Sequence, residues 1–172
     1  MGNYSTKTVE AEIDDNIKRV YGWIPDLPDH RDNLLKFNDF KNLSNLPEKI
    51  DLREKCPPIY NQGHLGSCTA NAIGFAYQFD ELKQNESEDF VPSRLFIYYN
   101  ERDMEGTIST DSGASIRDGI KSINKIGVCS ETQWPYDIQK FTEKPSEDCY
   151  NFAKTHKSLR YKRLGQPNPT LP

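Results

Sequence analysis

Between Cys68 and Lys83 the chain carries no proline, and immediately before that run it is broken repeatedly, by Pro57-Pro58, Asn61-Gln62-Gly63 and Gly66. A helix is therefore predicted to start at Cys68 and no earlier. Ala72, Ile73, Ala76, Tyr77 and Phe79-Asp80 are spread around it rather than along one stripe, so it should pack on more than one side. Ser67 stands where an N-cap is needed. Any fold for this chain must let a glycine-rich loop deliver a cysteine to the first turn of a buried helix.

The remaining elements arrange themselves around that junction. Gln84 to Asp89 reads as a polar turn. Pro92 suits the first turn of a second helix running through Leu95, Phe96, Tyr98 and Tyr99. Residues 101–112, with Gly106, Ser109, Thr110 and Ser112, read as a loop. Ile116, Ile120, Ile123 and Ile126 then step at helical spacing, with Gly127 as the C-cap. Trp134-Pro135-Tyr136 is extended. Upstream, residues 1–12 are polar, and Val9, Ile13, Ile17 and Val20 recur at helical spacing up to Tyr21-Gly22. Pro25 and Pro28 forbid a helix through Trp23–Asp29, so this segment is predicted to lie extended along a larger body that buries Trp23, Ile24 and Leu27. Residues 31–47 read as a connector. The proline-rich end, Gln166 to Pro172, suits neither helix nor central strand.

Composition narrows the function classes. The net charge of −4 offers nothing to a nucleic acid, whose binding proteins are basic. Hydrophobic residues make up 35 % of the chain, against about 45–50 % apolar in an ordinary domain. The core is thin for the length, so either part of the chain is extension or the folded unit expects a partner surface. The 8 Phe, 9 Tyr and 2 Trp argue against disorder throughout. No apolar run approaches the ~18 residues of a membrane span, and Met1–Thr6 lacks a signal-peptide core, which favours a cytoplasmic or virion-associated setting. Gly2 and Thr6 fit the short myristoylation pattern, as a plain start would. Cys56, Cys68, Cys129 and Cys149 form no C-x-x-C or Cys/His ladder; they are expected to be free thiols, with no metal and no cofactor. Lys154, Lys157, Arg160, Lys162 and Arg163 read as a solvated face, the alternative being a basic docking surface.

The junction also carries chemistry. Gly63 and Gly66 allow a sharp turn and close approach of a ligand. A cysteine in the first turn of a helix meets unpaired amide N–H groups and the positive end of the helix dipole, which favour a thiolate. Gln62, six residues earlier on the same loop, can aim an amide beside the sulfur. Thiolate and amide donor together suit acyl transfer: sulfur attacks a carbonyl and the donors hold the developing oxyanion. The plainer alternative is that Cys68 is a small packing residue.

These same residues resemble a known family. Ile50-Asp51-Leu52-Arg53, Asn61-Gln62-Gly63 and Gly66-Ser67-Cys68 are similar to the start of the mature papain-like cysteine peptidases, and the Gln62–Cys68 spacing is the family's. Ser112-Gly113-Ala114, then Gly127-Val128 to Trp134-Pro135-Tyr136, resemble its glycine-rich strand, third helix and "YPY" stretch. The leader Tyr21-Gly22-Trp23-Ile24-Pro25-Asp26-Leu27-Pro28 resembles that of a subgroup found in bacteria and large DNA viruses. The resemblance implies an α+β fold, chiefly the helical N-terminal lobe over residues 49–172, preceded by a propeptide-like leader over residues 1–48. It implies a cysteine endopeptidase acting on peptide or protein substrates, with Cys68 as nucleophile, Gln62 and the Cys68 backbone N–H as oxyanion donors, and Gly66, Gly113 and Ala114 lining the cleft and pairing with an extended substrate.

Where the family reads C-G-[SA]-C-[WY], this chain reads Leu65-Gly66-Ser67-Cys68-Thr69, without the first cysteine and without the aromatic. That cysteine's disulfide partner is replaced by Asp111. The family's catalytic His and Asn lie roughly 130–150 residues after the nucleophile, beyond residue 172. The resemblance thus implies that the β-rich lobe is missing from this chain and must come from a C-terminal lobe or complementary chain. His64 reads as loop surface, His156 as solvated among lysines, and His30 as structural. On this reading the chain alone is inactive or nearly so. A catalytically incomplete binding or regulatory module is the alternative, and a transpeptidase on the same scaffold would look identical in sequence. The leader either blocks Cys68 or braces the lobe elsewhere.

Overall fold

The computed structural model describes residues 21–35, 47–84 and 90–164. Helix α1 occupies Cys68–Lys83, as the proline-free run predicts. Ala70, Ile73 and Gln78 are buried, but Ala72, Ala76 and Asp80 are exposed, so α1 keeps one solvent face that the sequence reading had packed. Ser67 does not cap it. Its φ and ψ are −96° and 29°, and its hydroxyl instead meets Tyr136 Oη at 2.5 Å and accepts from Asn71 Nδ2 at 3.0 Å.

Helix α2 spans Arg94–Glu105. Pro92 lies before it rather than in its first turn, and Ser93 is the N-cap, its Oγ accepting from the Phe96 N–H at 3.1 Å. The helix continues over 101–105, which the polar sequence had assigned to a loop. It ends at Gly106, whose φ of 72° is the left-handed conformation that glycine adopts without strain. The error has a physical source: Glu101 and Arg102 are each 0 % exposed, so polar residues there sit inside the protein. The whole stretch from Arg94 to Arg102 is buried.

Helix α3, Ile116–Lys125, is capped by Ser115, whose Oγ accepts from the Asp118 N–H at 3.2 Å, and Gly127 follows at φ 98°, as the isoleucine spacing predicts. Helix α4, Glu147–Ala153, has no counterpart in the sequence reading; it buries Cys149 and Ala153 against Phe96 and Cys129. The main core joins Leu65, Ala70, Ile73, Leu95, Ile97, Tyr98, Ile123 and Val128. All four cysteines are free. His156 is half-buried rather than fully solvated: its ring stacks on Phe152 at 4.1 Å.

Two short parallel ladders fasten the leader. Strand β1, Trp23–Ile24, pairs with β3, Ala114–Ser115, in the register Trp23↔Ala114. Strand β2, Leu34–Leu35, pairs with β4, Arg163–Leu164. Asp26 Oδ1 accepts from the Arg117 N–H at 3.1 Å, and Asp32 pairs with Arg117 at 2.9 Å and Arg163 at 2.5 Å. The segment does lie along a larger body, but it does not bury its apolar side chains: Trp23 is 59 % exposed, Ile24 42 % and Leu27 79 %. The predicted helix over Val9–Val20, most of the 31–47 connector and the proline-rich end lie outside the described residues. Among the described residues no helix is long and apolar enough to cross a membrane.

Leu95 is 0 % and Leu164 73 % exposed. Leu95→Ala should lower the unfolding free energy by about 2–5 kcal/mol, and Leu164→Ala by less than about 0.5 kcal/mol, both read from urea denaturation. Hydrogen bonds from Arg117, and then from Arg163, hold the Asp32 carboxyl below its ordinary range. A depressed carboxylate stabilises the fold fully above its unfolded value of about 3.9 and loses that contribution as pH falls through the folded value. Acidification should therefore loosen residues 21–35, seen as faster limited proteolysis there, and Asp32→Asn should remove the pH dependence.

Candidate active site

Cys68 is the first residue of α1 and is only partly buried. The first bond of the helical ladder runs from the Asn71 N–H to the Ser67 carbonyl at 3.0 Å. The N–H groups of Cys68, Thr69 and Ala70 precede that ladder and leave partial positive charge at the sulfur's end of the helix.

The loop before it is tied internally. Gly63 adopts φ 61°, and its N–H donates to Asn61 Oδ1 at 3.0 Å. The Gln62 amide stays on this loop, its Nε2 donating to the Leu65 carbonyl at 2.9 Å. Tyr136 Oη donates to the Gln62 carbonyl at 2.9 Å and also meets Ser67 Oγ. Arg94, 9 % exposed, supports the loop from behind. It donates to the Asn61 carbonyl at 3.1 Å and to Asn71 Oδ1 at 3.2 Å, and its guanidinium lies 4.1 Å from the Tyr136 ring centre. Its charge is matched by Glu131 at 2.6 Å.

Asp111 stands where the resembled family carries a disulfide, and it makes a non-covalent tie there. Both carboxylate oxygens accept from the Gly66 N–H at 3.0 Å, and Tyr98 Oη donates to Oδ1 at 2.5 Å. Tyr98 Oη in turn accepts from the Gly113 N–H at 3.1 Å. Burial, then the Asp111 bond, push the phenol well above its ordinary range, so it remains a donor. One phenol and one carboxylate thus join the loop before Cys68 to the glycine strand. Arg94, Tyr98 and Asp111 were not singled out as site residues from sequence; only the loss of the paired cysteines pointed to position 111.

Gly66, Gly113 and Ala114 come together, and the chain's own leader lies against them. The Ala114 N–H donates to the Gly22 carbonyl at 2.8 Å. A Cβ on Gly22 would stand 1.8 Å from the Gly66 carbonyl oxygen and 2.7 Å from Gly113 Cα, so only glycine fits at 22. His64 and His30 are exposed, and among the described residues no histidine hydrogen-bonds to Cys68.

No protein-family profile matches the chain. It is 48 % identical over 163 residues to an uncharacterised peptidase C1-like protein of Acanthamoeba polyphaga mimivirus, a match that takes in 86 % of this chain and 52 % of that protein. It is also similar to the crystal structure of xylellain, a cysteine protease from Xylella fastidiosa, with TM-score 0.75 and 42 % identity over 87 % of this chain and 61 % of that one. A chain from a structural study of the mite allergens Blo t 1 and Der p 1 shares the fold at TM-score 0.52 and 22 % identity, over 66 % of this chain and 36 % of that one. The chain spans about half the length of the curated relative it matches. The α+β fold is that of these cysteine proteases, and the viral and bacterial relatives fit the subgroup that the leader resembles.

Tyr98→Phe leaves the Gly113 N–H and Asp111 each short of a partner. It should cost about 1–3 kcal/mol and speed amide exchange at both Gly66 and Gly113. Faster exchange at Gly113 alone would show that the tie does not reach the loop before Cys68.

Proposed function

We propose that this chain, which belongs to the papain-like cysteine peptidase family, is the helical lobe of a cysteine endopeptidase. The observation that carries this reading is a partly exposed Cys68 at a helix start, with three backbone N–H groups ahead of the ladder and the Gly66–Gly113 backbone beside it. Cys68 Sγ attacks the peptide carbonyl; the C–N bond breaks to give a thioester and an amine, which takes up a proton; water then cleaves the thioester and restores the thiol. The Cys68 N–H holds the oxyanion, and the Gln62 amide joins it by turning toward the sulfur the N–H that it does not give to the Leu65 carbonyl. Gly66, Gly113 and Ala114 receive the extended peptide by strand addition.

A general base within hydrogen-bond reach of the sulfur is still required. On this reading a histidine from the remaining length of the relatives supplies it, and the 172 residues alone hydrolyse little or nothing. The exposed Ile50, Leu52 and Ile59 support a second lobe, since apolar groups of that size favour a covering surface. Residues 1–48 act as a leader whose Gly22, Trp23 and Ile24 lie on the backbone that a substrate would use.

A peptidyl epoxide directed at thiols tests the reading. The chain would be treated alone and mixed with the portion of the mimivirus relative outside the matched region, and the labelled cysteine identified by mass spectrometry. Labelling of Cys68 in the mixture, lost in Cys68→Ser and several-fold faster after removal of residues 1–48, is the expected result. Unchanged labelling without the leader would make it a brace. No labelling of Cys68 in either case would overturn the peptidase reading in favour of a binding or regulatory module.

A further inference from the structure

Helix α2 brings one carboxyl group to the place where α1, α2 and α3 meet. Glu101 is 0 % exposed. From α1, Thr69 Oγ1 donates to Glu101 Oε2 at 2.9 Å. From α3, Gly119 leaves the room: a Cβ there would lie 2.3 Å from Glu101 Oε1 and 2.3 Å from Ile73 Cδ1. Among the described residues Oε1 has no hydrogen-bond partner. Burial pushes Glu101 well above the ordinary carboxylate range; the Thr69 bond and Arg102 oppose the shift, while Glu105 and Asp118 add to it. The neutral acid is the form this site favours.

Thr69 directly follows Cys68 and is 1 % exposed, so its hydroxyl needs a partner inside the protein. It belongs to the first turn of α1. The N–H groups of that turn precede the ladder, and the Ser67 side chain that would cap it is engaged with Tyr136 and Asn71 instead. Two side-chain bonds tie this turn to α2: Arg94 donates to Asn71 Oδ1 at 3.2 Å, and Thr69 donates to Glu101; only the second sits on the residue next to Cys68.

We propose that Glu101 is a positioning residue for Cys68: by accepting from Thr69 it fixes the first turn of α1 against α2, and with it the direction of the thiol. The proposal rests on Cys68 being the nucleophile. It also accounts for three residues together. A threonine replaces the aromatic of the resembled family, a carboxyl group lies opposite it, and a glycine on α3 makes space for that group.

Three variants of the full chain separate this role from the filling of space. Glu101→Met keeps the length without the acceptor, Glu101→Gln keeps a neutral acceptor, and Thr69→Val removes the donor. The readouts are the iodoacetamide alkylation rate at Cys68, by peptide mass analysis, and amide exchange over residues 68–71, with thermal melts confirming that each variant folds. Glu101→Met and Thr69→Val should each slow alkylation about threefold or more and speed exchange, with no further change in the double variant, because both remove one bond. Glu101→Gln should restore both readouts. Wild-type exchange in Glu101→Met, or additive effects in the double variant, would overturn the proposal. Failure of the peptidyl epoxide to label Cys68 in the mixture described above would instead overturn the nucleophile reading, and the exchange data would still decide what Glu101 holds.

Discussion

A polar group taken out of water must find a partner, and α2 takes four long ones into the interior of this lobe. Arg94, Tyr98, Glu101 and Arg102 are all 9 % exposed or less. Each reaches a different segment. Arg94 grips the loop before Cys68; Tyr98 bridges Asp111 and Gly113; Glu101 takes the first turn of α1. Arg102 donates to the carbonyls of Ile108, Thr110 and Phe141. The cleft is therefore built outward from one buried helix. Its loops have defined positions because any other placement would leave a buried charge or hydroxyl unmatched.

This arrangement lets the lobe dispense with a covalent link. The resembled family joins the nucleophile loop to the glycine strand with a disulfide, and here Leu65 and Asp111 stand at those positions. The Gly66 N–H, the Asp111 carboxylate, the Tyr98 phenol and the Gly113 N–H form a continuous chain across the same gap. Such a tie does not depend on an oxidising compartment, as a disulfide would. It does require a tyrosine at the right turn of α2, so Tyr98 and Asp111 function as a unit.

The sequence was most legible where backbone chemistry dominates. Cys68 as the start of α1 followed from the glycines and prolines before it, and α3 from the isoleucine period and Gly127. It was least legible where polar residues are buried. Residues 101–105 looked like loop because Glu101, Arg102 and Glu105 are charged, and the partners of Glu101 and Arg102 include Thr69 and Phe141, far away along the chain. Local composition holds no trace of such pairs. Ser67 failed as a cap for the same reason: a serine before a helix is a good cap unless a distant tyrosine competes for its hydroxyl. Trp23, Ile24 and Leu27 were expected to be buried on hydrophobicity alone, yet the leader is held by its backbone and its aspartates.

The way the leader is held bears on what it does. A permanent brace gains most by burying its apolar side chains, at roughly 25 cal/mol per Å², and Trp23, Ile24 and Leu27 are instead 59 %, 42 % and 79 % exposed. What seats the segment is two two-residue ladders, one glycine pressed between Gly66 and Gly113, and ion pairs of Asp32 with Arg117 and Arg163. Solvent-accessible ion pairs of this kind add little, because water screens them and two long side chains must be ordered to make them. A segment so attached can come and go far more readily than one locked into the core. It pairs with Ala114–Ser115 through main-chain hydrogen bonds, the same currency in which an extended peptide would bind on the proposed reading. That equivalence, more than the leader's sequence, supports a cover over the cleft rather than a brace.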